Sequence, residues 1–98
     1  VTELVAHLLA NRHRIPNRAI IHCLALARLA PKPTQRISAE RLMEELQISH
    51  QAYLSKELTQ LRRHDLVEYE AGDRFEPGYL FFRVGPRSLQ TKPTAIKP

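Results

Sequence analysis

Glycine and cysteine are scarce in this chain, and no stretch of it is continuously apolar. Its three glycines all fall after residue 71. That excludes a glycine-rich phosphate loop, which needs backbone N–H groups unobstructed by side chains. The single cysteine, Cys23, provides no disulfide framework and fits a reducing compartment. Set among Ala and Leu, it reads as a small hydrophobe and not as a nucleophile. No apolar run approaches the roughly 20 residues that span a bilayer, and the N-terminus lacks a signal-peptide profile. The expectation is a cytoplasmic protein, nucleoid-associated if bacterial, with no membrane partner. The five histidines (His7, His13, His22, His50, His64) show no ligand spacing. No metal, no cofactor and no enzymatic activity are therefore expected.

What is present fits one small domain. A length of 98 residues leaves no room for two independent cores, and 43% hydrophobic residues excludes a wholly disordered chain. The chain begins at Val1, which leaves open whether it belongs to something longer. Its net charge of +5 suggests an anionic partner, but the charge is unevenly distributed. Residues 1–36 carry Arg12, Arg14, Arg18, Arg28, Lys32 and Arg36 against Glu3 alone. Residues 37–76 are acidic on balance, with five basic side chains against nine carboxylates. Residues 77–98 carry Arg83, Arg87, Lys92 and Lys97 and no acid. The basic surplus flanks the middle of the chain and does not lie in it.

That middle has the clearest pattern. Ser38 is placed as an N-cap for a short helix over Ala39–Leu46, with Glu40 in its first turn and Leu42, Met43 and Leu46 as its apolar stripe. Gln47-Ile48-Ser49 forms a tight turn, with Ile48 as an apolar plug and Ser49 as a second N-cap. From His50 to His64, Leu54, Leu58 and Leu61 recur at the helical period. Two helices joined this way have the outline of a helix-turn-helix.

Before it, Thr2–Asn11 reads as an amphipathic helix capped by Thr2, with Leu4, Val5, Leu8 and Leu9 on one side. Pro16 opens a second helix that ends near Ala30, apolar nearly all round and so expected to be central and buried. Its polar side is Arg18, His22 and Arg28. Thr34–Ile37 can add a short strand. After the long helix, Leu66–Glu70 alternates as a half-exposed strand and Tyr79–Val84 forms a second. From Gly85 onward, the prolines and the lack of periodicity indicate a flexible tail. The expected fold is mainly α with a small β wing, an α+β winged helix-turn-helix over residues 1–84 followed by a Pro-rich tail over 85–98.

The matching residues Ile37-Ser38, Leu42, Ile48-Ser49, Tyr53-Leu54, Leu58, Leu61-Arg62 and Leu66-Val67, then Gly78-Tyr79 and Arg83, carry a resemblance. Over about residues 18–84 the chain resembles the winged helix-turn-helix transcription regulators, nearest to relatives of the iron–sulfur cluster regulators. Cluster-binding members place three cysteines after the wing, and this chain has none there, so cluster sensing is not implied. They also carry a long dimerisation helix after the wing, where this chain is Pro-rich. A homodimer would therefore form through Thr2–Asn11.

On the long helix, Ala52, Ser55, Lys56, Thr59, Gln60 and Arg63 fall opposite the leucines at about 100° per residue. Small residues permit close approach, Gln can read adenine, and Lys or Arg can reach guanine or phosphate. Ser49, His50 and Gln51 would meet phosphate at the helix N-terminus. Tyr53 borders the core stripe and reads as packed, with its hydroxyl outward. Arg62 and Arg63 either grip phosphate or favour the negative end of the helix dipole. Arg14 and Arg18 would clamp the DNA backbone, and Arg74 is the wing candidate, although Glu68, Glu70, Asp73 and Glu76 surround it. The expected function is sequence-specific binding of double-stranded DNA by a transcriptional regulator. The alternatives are an accessory domain of a replication-initiation or recombination protein, or a protein–protein interaction module using the acidic middle.

Overall fold

A computed structural model describes residues 2–72 and 78–90. The elements run α1 (Thr2–Ala10), α2 (Asn17–Leu29), β1 (Gln35–Ser38), α3 (Ala39–Leu46), α4 (Gln51–Arg63), β2 (Val67–Ala71), β3 (Gly78–Val84) and α5 (Arg87–Gln90). The result is a compact α+β arrangement of five helices on one small antiparallel sheet, ordered β1-β3-β2.

Leucine periodicity builds the core. Leu54, Leu58 and Leu61 of α4 are fully buried and meet Leu42 and Leu46 of α3, Cys23 and Leu26 of α2, and Phe81 of β3 in one cluster. Burying each such side chain contributes about 1.5–3 kcal/mol before the entropy of ordering it is subtracted. Leu4 and Leu8 bring α1 onto the same core.

The sheet closes the structure from the other side. Ile37 of β1 pairs with Tyr79 of β3, and Ser38 with Gly78. A side chain at position 78 would place its Cβ 3.0 Å from the Ile37 carbonyl oxygen, a tight contact, so glycine there eases the close approach of β1. Between Glu68 and Tyr69 the β2–β3 register shifts, leaving Phe82 opposite no partner and exposed. Tyr69 packs edge-on to Tyr79 at 5.7 Å and tilted against Phe81 at 5.8 Å, which fixes the hairpin on the core.

Several details depart from the sequence reading. Thr2 is the first residue of α1 and not its cap. Pro16 sits one residue outside α2, where its ψ of 144° keeps it non-helical while its carbonyl accepts from Ile20 N at 3.1 Å. α2 is not buried on all faces. It turns Ala19, Cys23 and Leu26 inward and leaves Ile21 63% exposed, because α3, α4 and β3 pack against one side of it. The sequence tail from Gly85 begins with structure. Gly85 adopts a φ of 120°, Pro86 is buried, α5 follows, and Leu89 packs on the core. Asp65 holds this segment by accepting from Arg87 N at 3.2 Å. The remainder of the tail, 91–98, lies outside the described residues.

Candidate nucleic-acid interface

The two helices at the centre end differently, and the difference sets the site. Ser38 caps α3 as its position implies, with Oγ accepting from Arg41 N at 3.1 Å. α3 stops at Gln47, whose left-handed φ of 57° lets Ile48 N return to Met43 O at 2.8 Å. Ile48 then half-buries in the turn.

Ser49 is not the cap of α4. The turn is one residue longer, so His50 takes the capping position with extended backbone, and no side chain bonds the first-turn N–H groups. Ser49, His50 and Gln51 are all exposed around that open end. Along α4, Ala52, Ser55, Lys56, Thr59, Gln60 and Arg63 are exposed together, as a 100° wheel requires. Two of the hydroxyls are engaged within the fold: Thr59 Oγ1 donates to Ser55 O at 2.8 Å, and Ser55 Oγ lies 3.5 Å from the Tyr79 hydroxyl. Lys56, Gln60 and Arg63 have no side-chain partner among the described residues.

The N-terminal arginines come up to this helix. Arg18 joins Lys56, Tyr53 and Ser49 around a depression of about 550 Å³ between α2, the α3–α4 turn and the first half of α4. Arg14 joins Arg63, His64, His7 and Asn11 around another of about 490 Å³ at the C-terminal end of α4. Asn11 there is fixed by donating to the His7 carbonyl at 2.8 Å. Arg74 lies outside the described residues.

Folding also redistributes the acidic middle. Glu57 on α4 lies 2.9 Å from Nδ1 of His22 and 3.6 Å from Arg18, both on α2. The first contact becomes an ion pair when His22 is protonated. Arg28 reaches Glu45 of α3 at 2.6 Å. Asp65 meets Arg83 at 2.6 Å and Arg87 at 3.7 Å, and Glu68 meets Arg62 at 3.5 Å. Such surface pairs contribute only about 0–1 kcal/mol of stability each, so their importance here is to local potential. Among the described residues the cations left without a carboxylate are Arg12, Arg14, Lys32, Arg36, Lys56 and Arg63, against Glu3, Glu40 and Glu70.

Two side chains differ in placement from the sequence reading. Arg62 is not free to grip phosphate, because it lies 3.8 Å over the Tyr69 ring and donates to the Tyr69 carbonyl at 2.5 Å. Tyr53 is not packed: the residue is 55% exposed, and its ring meets His50 edge-on at 5.7 Å between centroids. Its position on the α4 wheel, about 100° from Leu54, already carried that signal.

Cys23 is fully buried, and burial pushes its thiol from 9.0 up to about 12. The thiol therefore stays protonated near neutrality and is a packing atom. No group of three or more His, Cys, Asp or Glu side chains is arranged to hold a metal among the described residues. Nor is any helix among them long and apolar enough to cross a membrane. Comparison with protein-family models, with curated proteins and with solved structures gives no match.

Proposed function

We propose that this chain binds double-stranded DNA as a winged helix-turn-helix, with α4 in the major groove and the β2–β3 hairpin as the wing, in the service of transcriptional regulation. The observation that carries the reading is the exposed, unpaired set Lys56, Gln60 and Arg63 on one face of α4, with Arg14 and Arg18 brought up along its flank. A helix face of this kind suits base edges and phosphates, and the uncapped first turn of α4 offers N–H groups to a phosphate. Carboxylates that would repel a polyanion there are met from α2, Glu57 by Arg18 and Glu45 by Arg28. Their neutralisation within the fold also weakens the case for an acidic protein-interaction surface.

Two copies bound to successive major grooves would separate their α4 helices by about 34 Å and read a palindrome. The sequence reading assigns that dimer to α1. Because Leu4 and Leu8 of α1 face the chain's own core, the large apolar residue it leaves exposed for a second copy is Leu9, beside Ala6, Ala10 and the half-buried Val5. Sedimentation with and without duplex gives the stoichiometry.

Mobility-shift titration of mixed-sequence duplexes over a range of salt concentrations tests the reading. A shifted complex at low salt is expected, and selection from a random pool should then enrich one sequence. No complex with any duplex at low salt would sink the proposal. A complex that weakens steeply with salt and enriches no sequence would reduce it to non-specific binding.

A further inference from the structure

Tyr53 is the one aromatic side chain on α4, and it stays out of the core. Its exposed ring meets His50 edge-on and forms a wall of the depression of about 550 Å³ beside the first half of α4. Leu46 and Ile48 supply apolar surface within it, and Lys56 and Arg18 bring two cations to it. Glu57 lines it too, 3.6 Å from Arg18, and has carboxylate oxygens that can accept from an exocyclic amine.

An aromatic wall, apolar surface, two cations and a hydrogen-bond acceptor match one chemical class: a flat heterocycle joined to a phosphate. Within a duplex the base faces are covered by their neighbours, so a ring beside the groove cannot stack on them. An unpaired base has a free face, and aromatic stacking on such a face is tolerant of sequence.

We propose that this depression holds an unpaired nucleotide next to a duplex, so that the protein favours a junction between double- and single-stranded DNA over an uninterrupted duplex. The inference rests on the duplex-binding reading, which docks α4 and brings the depression to the strand.

Fluorescence anisotropy with three labelled DNAs tests it: a blunt duplex, the same duplex with a short single-stranded overhang (made with each polarity), and that overhang built from abasic sugars with the same phosphates. The base-bearing overhang of one polarity should bind roughly 5- to 150-fold more tightly than the blunt duplex for each base stacked. The abasic overhang should lose that gain. Tyr53→Ala should lose it as well, while Tyr53→Phe, which keeps the ring, should retain it. Circular dichroism checks that both variants fold.

Equal affinity for base-bearing and abasic overhangs would overturn the inference, as would a gain that survives Tyr53→Ala. Either result alongside firm binding of the blunt duplex leaves the duplex reading standing. Blunt duplex left unbound while the base-bearing overhang binds through Tyr53 would overturn the duplex reading and leave the base-binding depression in place. No binding to any of the DNAs overturns both.

Discussion

α3 and α4 share one design on the inside and opposite designs on the outside. Each buries a leucine stripe in the same core, Leu42 and Leu46 on α3 and Leu54, Leu58 and Leu61 on α4. α3 is closed at both ends, by Ser38 at its start and by the left-handed Gln47 at its finish, and Arg28 pins its flank through Glu45. α4 begins with no side-chain cap and leaves Lys56 and Arg63 without carboxylates. Hydrogen-bonding groups satisfied locally on α3 are left open on α4, which is where an incoming ligand would satisfy them. On this view α3 positions and α4 presents.

The contrast breaks down if the cores differ, so the largest effects should be alike in the two helices. Leu58→Ala and Leu42→Ala each remove a fully buried side chain and should cost about 2–5 kcal/mol in urea denaturation. A small loss for one and a large loss for the other would show that only one helix is anchored.

Next in size is the surface of α4. Lys56→Ala with Arg63→Ala should leave stability within about 0.5 kcal/mol. Duplex affinity should nevertheless fall roughly tenfold or more, and the slope of log affinity against log salt should flatten by about 2. Unchanged affinity and slope would remove α4 from the interface.

The caps sharpen the comparison further. Ser38→Ala should cost about 1 kcal/mol, whereas His50→Ala should change stability by no more than a few tenths of a kcal/mol, since His50 makes no capping bond. His50→Asp should instead gain about 0.5–1 kcal/mol and weaken DNA binding, by filling the open end with a negative charge. Of similar size, Gln47→Gly should stabilise the turn by up to about 1 kcal/mol, because glycine adopts that φ without the strain a Cβ brings.

Much of the frame could be read in the sequence, because local chemistry determines it. The leucine period marks the inner face of α4, Ser38 marks the start of α3, and the alternation after Leu66 marks a strand. The rest depends on which segments meet. That Thr34–Ile37 leads into a strand is visible in the sequence. That this strand lies against Gly78–Phe81, with the Ile37 carbonyl oxygen 3.0 Å from where a Cβ at position 78 would sit, is not. An apolar helix such as α2 reads as buried from composition, but three packed neighbours leave it a solvent face at Ile21.

The candidate site divides the same way. Helical angles group Lys56, Gln60 and Arg63, whereas the approach of Arg14 and Arg18 requires the tertiary fold. The acidic middle is unfavourable to DNA in sequence because the cations that meet it, Arg18 and Arg28, lie on a helix many residues earlier. The exposure of Tyr53 follows from its angle on the helix, about 100° from Leu54, and not from its adjacency to Leu54 in sequence.

The contact of Arg62 with Tyr69 has a meaning unrelated to any ligand. β2 is an outer strand, and an outer strand with open carbonyls invites another chain to add to the sheet. By donating to the Tyr69 carbonyl and lying across its ring, Arg62 occupies an acceptor on that edge and sets a positive charge beside it. The other outer strand, β1, spans only Gln35–Ser38 and carries the exposed Arg36. Both open sides of the sheet are thus guarded by arginine. The helix with the exposed Lys56, Gln60 and Arg63 also supplies, one residue from its end, a charge that disfavours edge-to-edge pairing of the hairpin.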